Sequence, residues 1–249
     1  MIFVSSIWNE VHATAKERNR RRTVSVFRFA QPSVGNYEGG VSNPVSEAQS
    51  AIIRATIDCF FDNLPSEFLD KLQAGASEIV AGNSQTDLVV LNLLGELEQI
   101  APANGNYERL ELCVETATSL AQNYNFWQRG LDLDVFAEWP AGELVAVRQL
   151  EESIDWKKRW LEAGGKIFGD GRMVAPISSP IWTALSFFGL PFAPFDIGSG
   201  MGIREMNTAE ATQLGCEIEY IQFEGLDFNV AALRERIDAY FQRNPPIGG

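Results

Sequence analysis

Residues 110–130, LELCVETATSLAQNYNFWQRG, carry the clearest structural signal in the chain. Their apolar side chains recur every three to four residues over about five turns, as one face of an α-helix requires. The members of this stripe are Leu110, Cys113, Val114, Ala117, Leu120, Ala121, Tyr124 and Trp127. Gly130 follows the stripe as a helix stop, and the opposite face is polar. The pattern therefore predicts a long amphipathic helix that lies on a helical bundle.

Three more helical patterns precede this segment. The first begins after Pro44 with Ser46 as the expected N-cap, and the second runs from Ser66 to near Gly82. The third, Thr86–Ile100, is too apolar for a surface helix, so we predict that it passes through the centre of the bundle.

The pattern changes after Pro140, where β-branched residues and glycine turns become frequent. We predict strands at residues 143–149 and 217–223, a hairpin around Gly169-Asp170-Gly171, a capping box from Asn207 to Glu210, and short helices near 154–163 and 180–188 before a final helix at 229–243. The expected fold is therefore α+β, with a helical N-terminal half and a smaller mixed α+β C-terminal half. The expected domains are a basic arm and linker at 1–45, a helical domain at 46–140 and an α+β domain at 141–249.

Composition suits a globular protein: the chain has 249 residues, 45% of them hydrophobic. No stretch approaches the roughly 20 consecutive apolar residues of a membrane helix, and the first residues lack the pattern of a secretory signal. We therefore expect a soluble protein made in the cytoplasm, with no membrane partner.

Charge is unevenly distributed along the chain. Residues 1–28 contain six basic and two acidic residues, a net charge of +4, whereas the whole chain carries −13. The candidate contact residues of this arm are Arg18, Arg20, Arg21 and Arg22. Such an arm fits nucleic acid or an acidic protein surface, but it also fits a solvated helix end or docking on the chain's own acidic body.

The residue types needed for most catalytic centres are scarce. His12 is the only histidine, which excludes a multi-histidine metal site and leaves few options for a nucleophile–histidine pair. The three cysteines are far apart and show no CxxC spacing, so we expect buried thiols in a reducing compartment. We expect no catalytic residues, cofactor or metal.

Gly198-Ser199-Gly200-Met201-Gly202 is the motif that most suggests a ligand, because glycine loops expose backbone N–H groups to phosphates. It is neither GxGxxG nor a P-loop, so a tight turn with positive φ is the favoured interpretation. The alternative is a nucleotide- or metal-dependent hydrolase that uses this loop with Asp196 and Glu205. Asp132 and Asp134 would share a face of an extended segment and could bind a cation, although solvated carboxylates explain them better.

Aromatic residues cluster in the C-terminal half, and core packing explains them better than a binding platform does. They are Trp156, Trp160, Trp182, Phe187, Phe188, Phe192 and Phe195.

Several motifs give residues 105–226 a family resemblance. The longest is Phe188–Gly202, FGLPFAPFDIGSGMG. Shorter ones are Arg109–Leu112, Ala121–Tyr124, Trp127, Phe136–Ala141, Glu143-Leu144, Trp156–Trp160, Ala163–Gly165, Gly171–Val174, Pro180–Trp182, Glu210-Ala211 and Leu214-Gly215. Together they resemble the minor head proteins of tailed phages, the head morphogenesis proteins related to the Mu-type F protein and encoded beside the portal. Larger members carry a histidine-containing C-terminal motif and sometimes an enzymatic domain, and neither is visible in this sequence.

The resemblance implies a structural virion protein of the head or neck rather than an enzyme, made in the cytoplasm of the bacterial host. Its implied partners are portal or capsid proteins, with packaged DNA at the basic arm, inside a homo-oligomeric or multi-protein assembly. Residues 189–202 would then shape one interface, through Phe192, Phe195, Gly198, Gly200 and Gly202, and the arm 1–28 would form another. The alternative is that this loop only closes the C-terminal core.

Overall fold

Nine helices and four strands occur in the part of the chain that the computed structural model describes, residues 44–101, 107–147, 154–222 and 229–243. The helices are α1 (Glu47–Phe60), α2 (Ser66–Val80), α3 (Thr86–Ile100), α4 (Tyr107–Gly130), α5 (Leu133–Glu138), α6 (Trp156–Glu162), α7 (Ile181–Leu185), α8 (Thr208–Gln213) and α9 (Val230–Arg243). The strands are β1 (Ala141–Ala146), β2 (Ile167–Phe168), β3 (Arg172–Pro176) and β4 (Met201–Met206). The α+β class and the helical N-terminal half are confirmed. None of the described helices is both long and apolar enough to span a membrane.

Helix α4 is the centre of the helical core. It packs against α1, α2 and α3, and most of its predicted apolar stripe is buried. Leu110, Val114, Ala117 and Leu120 are fully inaccessible to solvent. The amphipathic helix is therefore confirmed, but it passes through the bundle instead of lying on it.

Helix α3 was expected at that central position, and this prediction was wrong. Val90 and Leu97 face the core, whereas Leu88 is 55% exposed and Leu91 is 38% exposed. A helix at the edge of a bundle buries only one face. When apolar residues lie all around such a helix, those on the other face are exposed to solvent. A high average hydrophobicity therefore does not distinguish a helix at the edge of a bundle from one at its centre.

Helix α1 is held at both ends by polar contacts. Ser46 and Gln49 form the predicted N-terminal cap as a reciprocal capping box. The last turn of α1 has no basic residue of its own. Instead, Arg109 Nε donates to the Phe60 carbonyl at 2.7 Å, and Arg234 Nη2 donates to the Asp58 carbonyl at 2.5 Å. Two arginines from α4 and α9 thus satisfy carbonyls that the helix leaves unpaired.

The four strands form one antiparallel sheet in the order β2-β3-β1-β4. Glu143 of β1 lies opposite Val174 of β3 and Arg204 of β4. One face of the sheet carries Leu144, Ala175 and Met201 into a core with Trp156, Trp160, Trp182, Leu185, Ala193 and Phe195. The other face packs Val174 and Met206 against residues of α8 and the turn after it.

Local signals in this half have mixed outcomes. Gly169 and Gly171 have φ of +42° and +92° in the predicted hairpin turn, and Asn207 Oδ1 accepts the Glu210 N–H at 2.9 Å as the predicted cap. β1 begins at Ala141, two residues before the predicted start. The predicted strand at 217–223 is wrong for its described residues, 217–222, because they pair with no other strand.

All three cysteines are free and buried. Burial raises the pKa of the Cys59 thiol to about 12 and also raises the pKa values of Cys113 and Cys216.

Because the thiolate is the reactive form of cysteine, we expect a thiol reagent at pH 8 to label the three cysteines of the native protein about 100-fold more slowly than those of the protein in guanidinium chloride. Mass spectrometry of the labelled cysteines measures this ratio. Rapid labelling of any one of them would show that its surroundings open in the native state.

Candidate functional site

The loop after α7 belongs to two hydrophobic cores at once. We call residues 187–202, which include the first two residues of β4, the wedge loop. Phe187, Phe188, Leu190, Phe192 and Ile197 enter the helical core, whereas Ala193, Phe195 and Met201 enter the core beneath the sheet. The loop is therefore the structural joint between the helices and the sheet.

The two phenylalanines that were candidates for an interface are both fully buried. The ring centroid of Phe192 lies 6.0 Å from that of Tyr124 and 5.6 Å from that of Trp127. Phe195 stacks on Trp182 at 5.8 Å between centroids. Both rings thus have the surroundings that the core interpretation requires, and an interface at this loop would have to use other atoms.

The glycine motif forms the turn that leads from the wedge loop into β4. Gly198 and Gly200 have φ of +61° and +56°, values that favour glycine. The Gly200 carbonyl accepts the Val147 N–H at 2.7 Å, and Gly202 lies opposite Val145 in the sheet. The Ser199 N–H donates to the Asp196 carbonyl at 3.1 Å, so structural contacts take up part of the backbone of this motif.

Two arginines hold the wedge loop from neighbouring helices. Arg159 of α6 contacts Asp196 at 2.5 Å. Arg236 of α9 donates to the Phe187 carbonyl, and its guanidinium carbon lies 4.0 Å from the centroid of the Phe187 ring. The Phe187 N–H donates to the Phe195 carbonyl at 2.7 Å and closes the loop on itself.

The acids of the hydrolase alternative are engaged in separate ion pairs. Asp196 contacts Arg159, whereas Glu205 contacts Arg129 at 3.0 Å. Asp132 accepts N–H bonds at the start of α5, so it does not share an extended segment with Asp134 as the cation hypothesis required. Within the described ranges, no group of three or more histidine, cysteine or acidic residues is placed to hold a metal.

A charge network on the face of the sheet that packs against α8 was not anticipated from sequence. Glu143 accepts two bonds from Arg172, both at 2.8 Å, and two from Arg204 at 2.7 and 2.9 Å. Arg204 also contacts Glu210 of α8 at 3.2 Å. Hydrogen bonds from Arg172, with a further contribution from Arg204, lower the pKa of Glu143. Two arginines and two glutamates thus connect three strands with α8, and only the tertiary arrangement brings them together.

Exposed apolar side chains mark two surfaces. One is the outer face of α3, with Leu88 and Leu91. The other is the segment 217–222, which we call the Glu217–Gln222 strip and whose Tyr220 packs on α5. Leu133 of α5 is itself 67% exposed. The four arginines of the basic arm lie outside the described residues, so the arm remains a predicted interface.

The position of Phe192 predicts a large effect of truncation. Phe192→Ala removes a ring from the helical core, and we expect it to lower the free energy of unfolding by about 3–5 kcal/mol. Leu161→Ala, at a side chain that is 53% exposed, is the control and should change it by about 0.5 kcal/mol or less. Urea denaturation measures both. A Phe192→Ala protein of unchanged stability that fails to enter phage heads would support the interface interpretation instead.

The charge network predicts that the free energy of unfolding depends on pH. Because the folded state lowers the pKa of Glu143, its carboxylate stabilises the fold above the unfolded pKa of about 4.3, and this contribution is lost as the pH falls through the folded value. We expect Glu143→Gln to lower the free energy of unfolding at pH 7 by about 1–3 kcal/mol and by much less near pH 3. Glu162→Gln, which affects only an exposed pair with Lys158, should have almost no effect. A Glu143→Gln deficit that stays constant from pH 7 to pH 3 would contradict the network's role.

The family-like motifs occupy defined places in this fold. Phe188–Gly202 lies in the wedge loop, Trp156–Trp160 begins α6, and Glu210-Ala211 lies in α8. Comparisons of the chain with protein-family models, curated proteins and solved structures gave no match.

Proposed function

We propose that this protein is a structural component of a tailed-phage head, a minor head protein that binds portal or capsid proteins during head assembly or genome delivery. The support is the resemblance of residues 105–226 to that family together with the place of its longest motif. Phe188–Gly202 lies in the loop that joins the two cores. A resemblance concentrated in such residues points to a shared fold more than to shared ligand chemistry.

The hydrolase alternative has less support from the geometry. Its two acids are each neutralised by an arginine, and the backbone of its glycine motif is used in the turn and the sheet. The alternative of a DNA-binding accessory protein rests on the +4 charge of residues 1–28, which would give salt-dependent binding without sequence preference. That arm is compatible with a head component that also touches packaged DNA.

The proposal predicts a fixed stoichiometry in particles. We expect quantitative mass spectrometry of purified, DNA-filled heads to find this chain at a constant ratio to the portal protein across independent preparations. A host cytoplasmic protein of similar abundance in the lysate is the control for carry-over. Absence of the chain from filled heads would contradict a role in the mature virion and would favour a transient assembly factor or an enzyme.

A further inference from the structure

The Glu217–Gln222 strip has the sequence of a strand, but it pairs with no strand among the described residues. Its sequence is EIEYIQ, in which Glu217 to Tyr220 alternate between acidic and apolar or aromatic side chains, and the segment contains no turn or bend. All six residues are exposed, including Ile218 at 36%, Tyr220 at 40% and Ile221 at 41%. A strand-like segment with exposed apolar side chains and an unpaired main chain can accept another strand at its edge.

Among the residues that the structure describes, hydrogen bonds reach the main chain of the strip from one edge. Ser178 Oγ donates to the Glu219 carbonyl at 3.2 Å and accepts the Ile221 N–H at 3.1 Å. The Tyr220 hydroxyl donates to the Leu131 carbonyl at 3.2 Å, and its ring packs edge-on against Phe136 at 5.0 Å. The strip is thus positioned firmly, so a partner would meet a largely preformed surface.

Within the described part of the chain, the opposite edge of the strip has no main-chain partner. In an extended run, the N–H and C=O of one residue point to the same side, and those of the next residue point to the other. Glu219 and Ile221 use their main-chain groups toward Ser178, so those of Ile218, Tyr220 and Gln222 point away. Among the described residues, none bonds to the main-chain N–H or C=O of these three.

The two faces of the strip differ in chemistry. Glu217 and Glu219 share one face with Ile221, whereas Ile218 and Tyr220 lie on the other. Lys166 Nζ lies 3.8 Å from a Glu217 carboxylate oxygen, and both side chains are mostly exposed. Asp132 and Asp134 flank the exposed Leu133 on the helix against which Tyr220 packs. The surroundings are therefore acidic and apolar.

We propose that the Glu217–Gln222 strip binds an extended segment of a partner protein by strand addition, and that the segment alternates basic and apolar side chains. Main-chain bonds to Ile218, Tyr220 and Gln222 supply the pairing. The basic side chains face Glu217 and Glu219, and the apolar ones face Ile218 and Tyr220. A second copy of this chain fits less well, because it would bring the same carboxylates and a net charge of −13 to the surface.

A defined peptide tests this inference on the purified full-length chain, independently of any role in phage heads. The probe is a fluorescein-labelled octapeptide of alternating lysine and valine, and binding is measured by fluorescence anisotropy. One control peptide carries glutamate in place of lysine, and another carries N-methyl groups on alternate amides. We expect the lysine–valine probe to bind at least about tenfold more tightly than either control peptide.

Two variants locate the site. Glu217→Lys/Glu219→Lys should weaken the lysine–valine probe at least about tenfold and make the glutamate–valine peptide the better ligand. The matched control Glu78→Lys/Glu98→Lys makes the same charge change at exposed positions of α2 and α3, and it should leave the affinity within about twofold. Ile218→Pro removes one outward N–H, and it should weaken binding at least about fivefold while leaving the urea midpoint unchanged.

Three results would overturn the proposal. If the lysine–valine probe does not bind, the proposed site does not exist. If the N-methylated peptide binds as tightly as the probe, the attraction is electrostatic and involves no strand pairing. A sedimentation measurement that finds a wild-type dimer and an Ile218→Pro monomer would make a second copy the occupant.

Discussion

The burial of the wedge loop is the constraint on which the rest of the structure depends. Its aromatic side chains divide between two cores, with Phe192 beside Trp127 of α4 and Phe195 on Trp182 beneath the sheet. Neither core is complete without this loop, because interiors pack to the density of solids and tolerate few voids. The sheet and the helices are consequently coupled by side-chain packing as well as by the chain that connects them.

Arginine side chains also stabilise the contacts between elements of this acidic protein. Arg109 and Arg234 bind carbonyls at the end of α1, and Arg236 binds a carbonyl of the wedge loop. A guanidinium suits this work because it offers several donors in a fixed plane and can also lie over an aromatic ring, as Arg236 does over Phe187. These three arginines therefore serve internal contacts of the fold.

Sequence patterns correctly predicted the structural features that depend on residues close together in the sequence. The stripe of α4, the caps at Ser46 and Asn207 and the glycine hairpin all follow from spacings of a few positions. Patterns failed where the answer depends on distant partners. The position of α3 at the edge of the bundle, the lone strip at 217–222 and the Glu143 network, whose members are 29 and 61 residues apart, require knowledge of the tertiary arrangement. The aromatic cluster was interpreted correctly as core, yet its division between two cores has no local signature.

The wedge loop also sets an order for folding during synthesis. The helical half, through α4, is made before residues 187–197, so the surfaces of Tyr124 and Trp127 that receive Phe192 stay uncovered until the loop emerges from the ribosome. Ile237 of α9 completes the same core still later. The nascent chain consequently lacks the native cover of this aromatic surface while residues 131–192 are made, a stage at which chaperones and neighbouring chains compete with the native contact.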